Sequence, residues 1–285
     1  MTSTPSLQTL EKLSLDYRER IIRLANDQKF GIHLGGSLSL AEILTVLYFS
    51  VARVDPNNPQ WPDRDRVFLS KGHGNVGLLV TLAMRGFFSM GAFVNEFNRL
   101  GSFYSMHADA HVAGVEHSSG SLGHGLSVAV GSALAGKMDH KPWQVYCILG
   151  DGESMEGSVW EAMMSAAHYH LDNLTAIIDR NFLSQEGTTE ETMGLEPLKA
   201  KTTAFGWQTF EVDGHDVQAL LQAFHHKVEG KPKMIIARTV KGRGVPSYEN
   251  IPGSHFAHLT DEQTDAALQL LEADRQQLKT DSCHD

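Results

Sequence analysis

Two apolar runs each end in residues that could share an oxygen-seeking cation. The run VYCIL (145–149) ends in Gly150-Asp151-Gly152, and the run TAIID (175–179) leads into Arg180-Asn181. If the intervening segment is a helix, the runs are neighbouring parallel strands joined by a crossover. Asp151 and Asn181 then emerge side by side at the carboxyl edge, where open α/β sheets bind ligands. One carboxylate and one amide oxygen, completed by a backbone carbonyl and phosphate oxygens, make an all-oxygen shell of the kind magnesium accepts. Gly150 and Gly152 let the backbone approach an anion with no side chain in the way. Alone, Gly-Asp-Gly is an ordinary turn; the second strand end is what turns it into a candidate site.

Histidine is the other chemically suggestive residue, with fifteen in the chain. His168, His170, His225 and His226 fall on or at the ends of helical segments and read as structural. His33, His73, His107 and His255 instead sit in glycine- or turn-containing loops next to core elements. Imidazoles donate, accept and exchange protons near neutral pH, so four in one cavity could hold a polyhydroxylated substrate and manage its protons. They lack the close paired spacing of a structural zinc motif.

The elements that must position these groups follow from periodicity. A helix is expected over residues 7–24, then a glycine-rich loop at 31–37. Ser39 and Glu42 have capping-box spacing ahead of a helix beginning near Ile43. Strands are expected at 67–69, 143–149, 175–178, 207–212 and 234–239, and helices from about 76 and over 126–135, 156–169, 217–228 and 261–278. Strands alternating with helices predict an α/β fold with a mostly parallel, doubly wound sheet flanked by helices. The passage from 240 to 259 carries no periodic pattern, and a loop that long inside a compact domain is usually functional.

With 285 residues, 41% of them hydrophobic, the chain can bury one large core. The expected organisation is an N-terminal extension (1–14) and one domain (15–285) ending in a helical tail. A formal net charge of −10 argues against a nucleic-acid surface. No apolar run reaches the length of about 18 residues that a membrane helix needs, so a cytoplasmic protein is expected. Cys147 and Cys283 form neither a metal motif nor a disulfide framework. No early strand carries the glycine pattern of a dinucleotide site.

Taken in order, these motifs resemble the N-terminal, thiamine diphosphate-binding domain of transketolases, and most closely the first chain of split, two-chain transketolases. The resemblance covers residues 15–275. The family's first histidine falls on His33 of GIHLGG, its second on His73 of SKGHG and its third on His107 of SMH. The last falls on His255 of HFAHL, with His258 as the alternative. The cofactor-covering passage matches GSLGHG, bringing Gly120, Ser121 and Leu122 to the cofactor. The thiamine motif matches Gly150, Asp151, Gly152 and Asn181, with Glu153 beside it and the Leu183 carbonyl as a further metal ligand. Glu156 matches a glutamate that reaches across a dimer toward the partner's catalytic glutamate. The chain departs from the family at the prolines absent from three histidine motifs, at His124 in place of glutamine, and at Phe256 in place of the glycine after the last histidine.

The resemblance implies thiamine diphosphate and Mg²⁺ as cofactors, with Ca²⁺ or Mn²⁺ as substitutes. It implies transfer of a two-carbon ketol unit from a ketose donor to an aldose acceptor, His33, His73, His107 and His255 acting on the donor. No glutamate here matches the one that activates the cofactor from the pyrimidine-binding domain. A separate C-terminal subunit of about 300 residues, the size of two domains, is therefore expected in an α2β2 assembly. A 1-deoxyxylulose-5-phosphate synthase-like or 2-oxo acid dehydrogenase α-like chain, and a non-catalytic assembly protein retaining the fold, are the other readings.

Overall fold

The computed structural model describes residues 5–281. In chain order the elements are α1 (Leu7–Asp27), α2 (Gly35–Leu38), α3 (Ala41–Val46), β1 (Arg66–Leu69), α4 (Asn75–Arg85), α5 (Met90–Glu96) and α6 (Gly125–Met138). There follow β2 (Val145–Gly150), α7 (Gly157–His168), β3 (Leu174–Arg180), α8 (Thr189–Met193), α9 (Leu198–Ala204) and β4 (Gln208–Asp213). The chain closes with α10 (Val217–His225), β5 (Lys233–Arg238) and α11 (Asp261–Asp281).

The strands form one five-stranded sheet in the order β1-β2-β3-β5-β4, every neighbouring pair parallel. Because side chains alternate across a strand, β2 sends Tyr146 and Ile148 into one core and Val145, Cys147 and Leu149 into the other. The first core is covered by α1, α3, α4, α10 and α11, the second by α6, α7 and α9. Burial on both faces explains why these strands read as continuous apolar runs rather than alternating ones. Each fully buried aliphatic side chain contributes about 1.5–3 kcal/mol.

Element types follow the sequence pattern closely, and three differences are instructive. Residue 14, the expected limit of an N-terminal extension, lies inside α1, whose Leu10 is fully buried. The glycine-rich passage after α1 is partly helical: α2 packs so tightly that a Cβ on Gly35 would lie 2.5 Å from Ser254 Oγ. Its glycine serves close approach, not a flexible loop.

The Ser39–Glu42 capping box does not form. Leu40 precedes α3 with no side-chain cap. Ser39 Oγ instead donates to Asp179 Oδ2 (2.7 Å), and Glu42 receives both Arg18 Nη atoms (2.5 and 2.7 Å). Drawing Glu42 away from buried Arg18 to cap a helix would leave an uncompensated buried charge, at about 3–5 kcal/mol, against about 1 kcal/mol gained from the cap. Cys283 lies outside the described residues; Cys147 is buried and free. No helix among the described residues is long and apolar enough to cross a membrane.

Candidate active site

At the carboxyl ends of β2 and β3, Gly150 pairs in register with Asp179, so the two chain segments leave the sheet at the same level. Asp151 and Asn181 follow, and with Leu183 they line one cavity of about 450 Å³. Asp151 is almost fully buried; its Oδ1 accepts from Gly152 N (2.8 Å), and its Oδ2 from Phe182 N (2.6 Å) and Arg180 Nη1 (3.1 Å). Asn181 Oδ1 accepts from Leu183 N (3.2 Å), which orients the amide at the start of the loop. Burial, then the nearby Asp179 charge, raises the pKa of Asp151 against the opposing pull of Arg180 and two backbone amides.

A buried carboxylate under that pressure is stabilised by a divalent cation. The donor set of one carboxylate, one amide and one carbonyl suits an oxygen-loving metal that also takes phosphate oxygens. It is not a cluster of acids and imidazoles, and no group of three or more His, Cys, Asp or Glu among the described residues could hold a metal ion.

Under this edge lies a polar network that sequence reasoning missed. Asp179 is fully buried and accepts from Lys71 Nζ (2.5 Å), Ser39 Oγ (2.7 Å) and Thr239 Oγ1. Burial would raise its pKa, but the Lys71 ammonium and these hydrogen bonds lower it. Lys71 also donates to Gly36 O (2.9 Å) and lines the cavity.

Lys241, just past β5, lines the cavity too and donates to Ser184 O (2.8 Å). Burial first, and the Lys71 charge second, depress its ammonium to about 8 despite Asp151 and Asp179. A charged residue ending an apolar strand (Asp179), or standing two before a loop histidine (Lys71), was the available signal.

The remaining expected cofactor contacts divide. Gly120 and Leu122 line the cavity, and a Cβ on Gly120 would stand 3.9 Å from His107 Cδ2, in ordinary contact with it. Gly150, Gly152 and Glu153 line it as well, but the Glu153 carboxylate is taken up by Ser70 Oγ, Gly123 N (2.9 Å) and Gly150 N (3.0 Å). It clamps the glycine-rich passage to the Gly-Asp-Gly turn. Ser121 is exposed and outside the cavity lining. Glu156, at the start of α7, is exposed too and packs against Gly123, where a Cβ would lie 2.6 Å from Glu156 Cβ.

The four loop histidines converge. The ring centroid of His33 lies 6.1 Å from that of His73, 5.3 Å from His107 and 5.4 Å from His255, and His73 is 5.2 Å from His255. All four line the cavity that holds Asp151 and Asn181. Burial, then His107, pushes His33 down to about 4. Burial followed by Lys241, His33 and Lys71 does the same for His255, and His73 is lowered well below the usual range, burial again leading. At neutral pH these three rings are uncharged and hydrogen-bond as donor and acceptor. His258 points away, its Nδ1 at 3.1 Å from Ala25 O and 3.2 Å from Gln28 O, so His255 is the member of the cluster.

The cavity therefore brings together the Asp151 and Asn181 side-chain oxygens, the Lys71 and Lys241 ammonium groups and four imidazoles. Residues 18–280 match the family model for the transketolase thiamine diphosphate-binding domain. The 6-deoxy-6-sulfo-D-fructose transketolase subunit SqwG of Clostridium sp. (strain MSTE9) is 42% identical over 269 residues, covering 92% of this chain and 98% of that protein. An apulose-4-phosphate transketolase subunit of Phocaeicola vulgatus is 42% identical over 264 residues, covering 92% of this chain and 93% of that protein.

Among solved structures, the transketolase of Campylobacter jejuni superposes with a TM-score of 0.85 at 31% identity. That match covers 93% of this chain and 42% of the other, so the chain spans about two fifths of the solved enzyme. The chain belongs to the transketolase family of two-carbon-transferring, thiamine diphosphate-dependent enzymes, and it supplies the family's thiamine diphosphate-binding domain.

Proposed function

We propose that this chain is the diphosphate-holding subunit of a two-chain transketolase that moves a two-carbon unit from a ketose to an aldose. The carrying observation is the convergence of Asp151, Asn181 and Leu183 with Lys71, Lys241 and four loop histidines in one cavity at the sheet's carboxyl edge. Bound thiamine diphosphate supplies the carbon–carbon cleavage chemistry that side chains lack.

This chain's own residues bind and orient. Asp151, the Asn181 amide and the Leu183 carbonyl hold Mg²⁺, or Ca²⁺ or Mn²⁺ in its place. Lys71 and Lys241 face the diphosphate, and Gly120 and Leu122, which line the cavity, meet the cofactor from the glycine-rich passage. His33, His73, His107 and His255 hydrogen-bond the donor's hydroxyls and carbonyl and exchange protons with them.

The partner is a second chain of about 300 residues carrying the pyrimidine-binding domain, in an α2β2 assembly that Glu156 faces. Two similar relatives are themselves named as transketolase subunits, and this chain spans nearly the whole of each. Their names carry different sugars, one sulfonated and one a phosphate, so the proposal extends to the ketose class and not to one donor. The partner to test is a chain that carries the pyrimidine-binding domain, sought first in the coding sequence immediately downstream. The chain alone shows no ketol transfer, and an equimolar mixture with the partner restores it in a coupled assay of aldose release. Full turnover by the chain alone overturns the reading.

A further inference from the structure

Phe256 stands where the family pattern carries glycine. Its ring sits edge-on to His33, centroids 5.2 Å apart at 85°. A second contact fixes that ring: a Cβ on Gly31 would lie 2.9 Å from Phe256 Cε1, and Gly31 holds a φ of +83° that side chains rarely adopt. Between the two, Ile32 and Ala257 exchange a pair of backbone hydrogen bonds, both 2.9 Å, so the loop of His33 and the loop of His255 are zipped together.

Phe256 itself is 47% exposed and does not line the cavity. His33, by contrast, is the hub of the cluster, with His73, His107 and His255 around it, and its Nδ1 is buried without a hydrogen-bond partner.

We propose that Phe256 is the positioning residue of His33: its ring braces the imidazole from outside the cavity and keeps water off it, presenting a dry, oriented ring to a polyhydroxylated donor. Aromatic pairs at this separation prefer the edge-to-face arrangement seen here, which restricts rotation of the partner ring. A glycine at 256 would open His33 to water on that side. The donor's part in this rests on the function proposed above; the bracing of His33 does not.

Other charges near His33 bear on its titration. His73, His107 and His255 surround it, and Lys71 and Lys241 line the same cavity. Of these, only His255 adjoins position 256 in the chain, so its titration is followed alongside that of His33.

The test is histidine NMR titration of the full chain without a partner. In Phe256→Gly the pKa of His33 rises from about 4 by about one unit or more toward the usual value, as desolvation is relieved. In Phe256→Tyr it stays low, because the ring is retained. Amide exchange at Ile32 and Ala257 remains slow in both variants. An unchanged His33 titration in Phe256→Gly overturns the proposal. So does loss of amide protection at Ile32 and Ala257, which would make Phe256 a general support of the loops. In the assembly with its partner, Phe256→Gly raises the donor KM about tenfold or more while kcat falls less, about the loss of one oriented hydrogen bond, and Phe256→Tyr restores it. Failure of this arm with success of the first would sink the donor role and leave the bracing intact.

Discussion

Replacing Glu42 by Gln tests how the fold supports the site. The Glu42 carboxylate is buried and takes two short bonds from Arg18, and its Oε2 also lies 2.8 Å from His215 Nδ1. Since Val240 N donates to His215 Nε2 (2.9 Å), the ring proton sits on Nδ1 and is donated to Glu42. Burial alone would raise the Glu42 pKa, but Arg18 and the His215 hydrogen bond override it and hold the carboxyl at about 2, against an ordinary 4.5.

At 1.36 kcal/mol per pKa unit that depression is worth about 3 kcal/mol. Removing one member of a buried ion pair costs about 3–5 kcal/mol by an independent route. Because the folded pKa is depressed, the stabilisation is complete above about pH 4.5 and is lost as pH falls toward 2. Urea unfolding of wild type and Glu42→Gln therefore differs by about 3–4 kcal/mol at pH 6.5, and by about 2 kcal/mol less at pH 3. A difference that is flat with pH, or below about 1 kcal/mol at pH 6.5, would refute the argument.

Asp151→Ala loses Mg²⁺-dependent cofactor affinity by about 30 to 1000-fold in calorimetry on the assembled enzyme, the scale of one charged contact; unchanged affinity removes the metal site. His33 and His255 have folded pKa values near 4 against 6.5, so the unfolded chain binds protons first on acidification. Stability consequently rises with pH between about 4 and 6.5, and a His33→Gln/His255→Gln double variant flattens that stretch; an unaltered slope contradicts the assignment. The Cys147 thiol is buried and pushed well above its usual pKa, burial being the main cause. In a Cys283→Ser background it reacts with a thiol reagent only at the unfolding rate, and fast labelling of the native protein would show that β2 opens.

The strands, their order of type and the two strand ends that meet at the cavity were legible because they rest on local signals: apolar runs, flanking glycines and polar residues at a strand's end. Boundaries shifted by a few residues at most, as at α1, expected over 7–24 and found at Leu7–Asp27. The short helices α5, α8 and α9 carried too few turns for a period to show. The capping box failed for a different reason. Ser39 and Glu42 have the right spacing, but their partners are Asp179 and Arg18, and pairings between distant parts of the chain leave no trace in local pattern. Lys71 and Lys241 stand out weakly in the sequence on the same account, since their proximity to the site is created by folding.

Those long-range pairs also explain why the two ends of the cavity differ in kind. At the anion end, Asp179 is saturated by Lys71, Ser39 and Thr239, and Glu153 by Ser70, Gly123 and Gly150, so that the strand ends are locked before any ligand arrives. Such preorganisation lowers the ordering cost of binding a charged cofactor tail. At the histidine end, His33 keeps a buried Nδ1 without a partner, and the rings meet one another rather than fixed acceptors. An unsatisfied buried donor or acceptor carries a penalty that a hydroxyl-rich ligand can relieve. The cavity is therefore saturated with hydrogen bonds at its strand ends and under-bonded at its histidines, which is the division of labour that the proposed function asks of it.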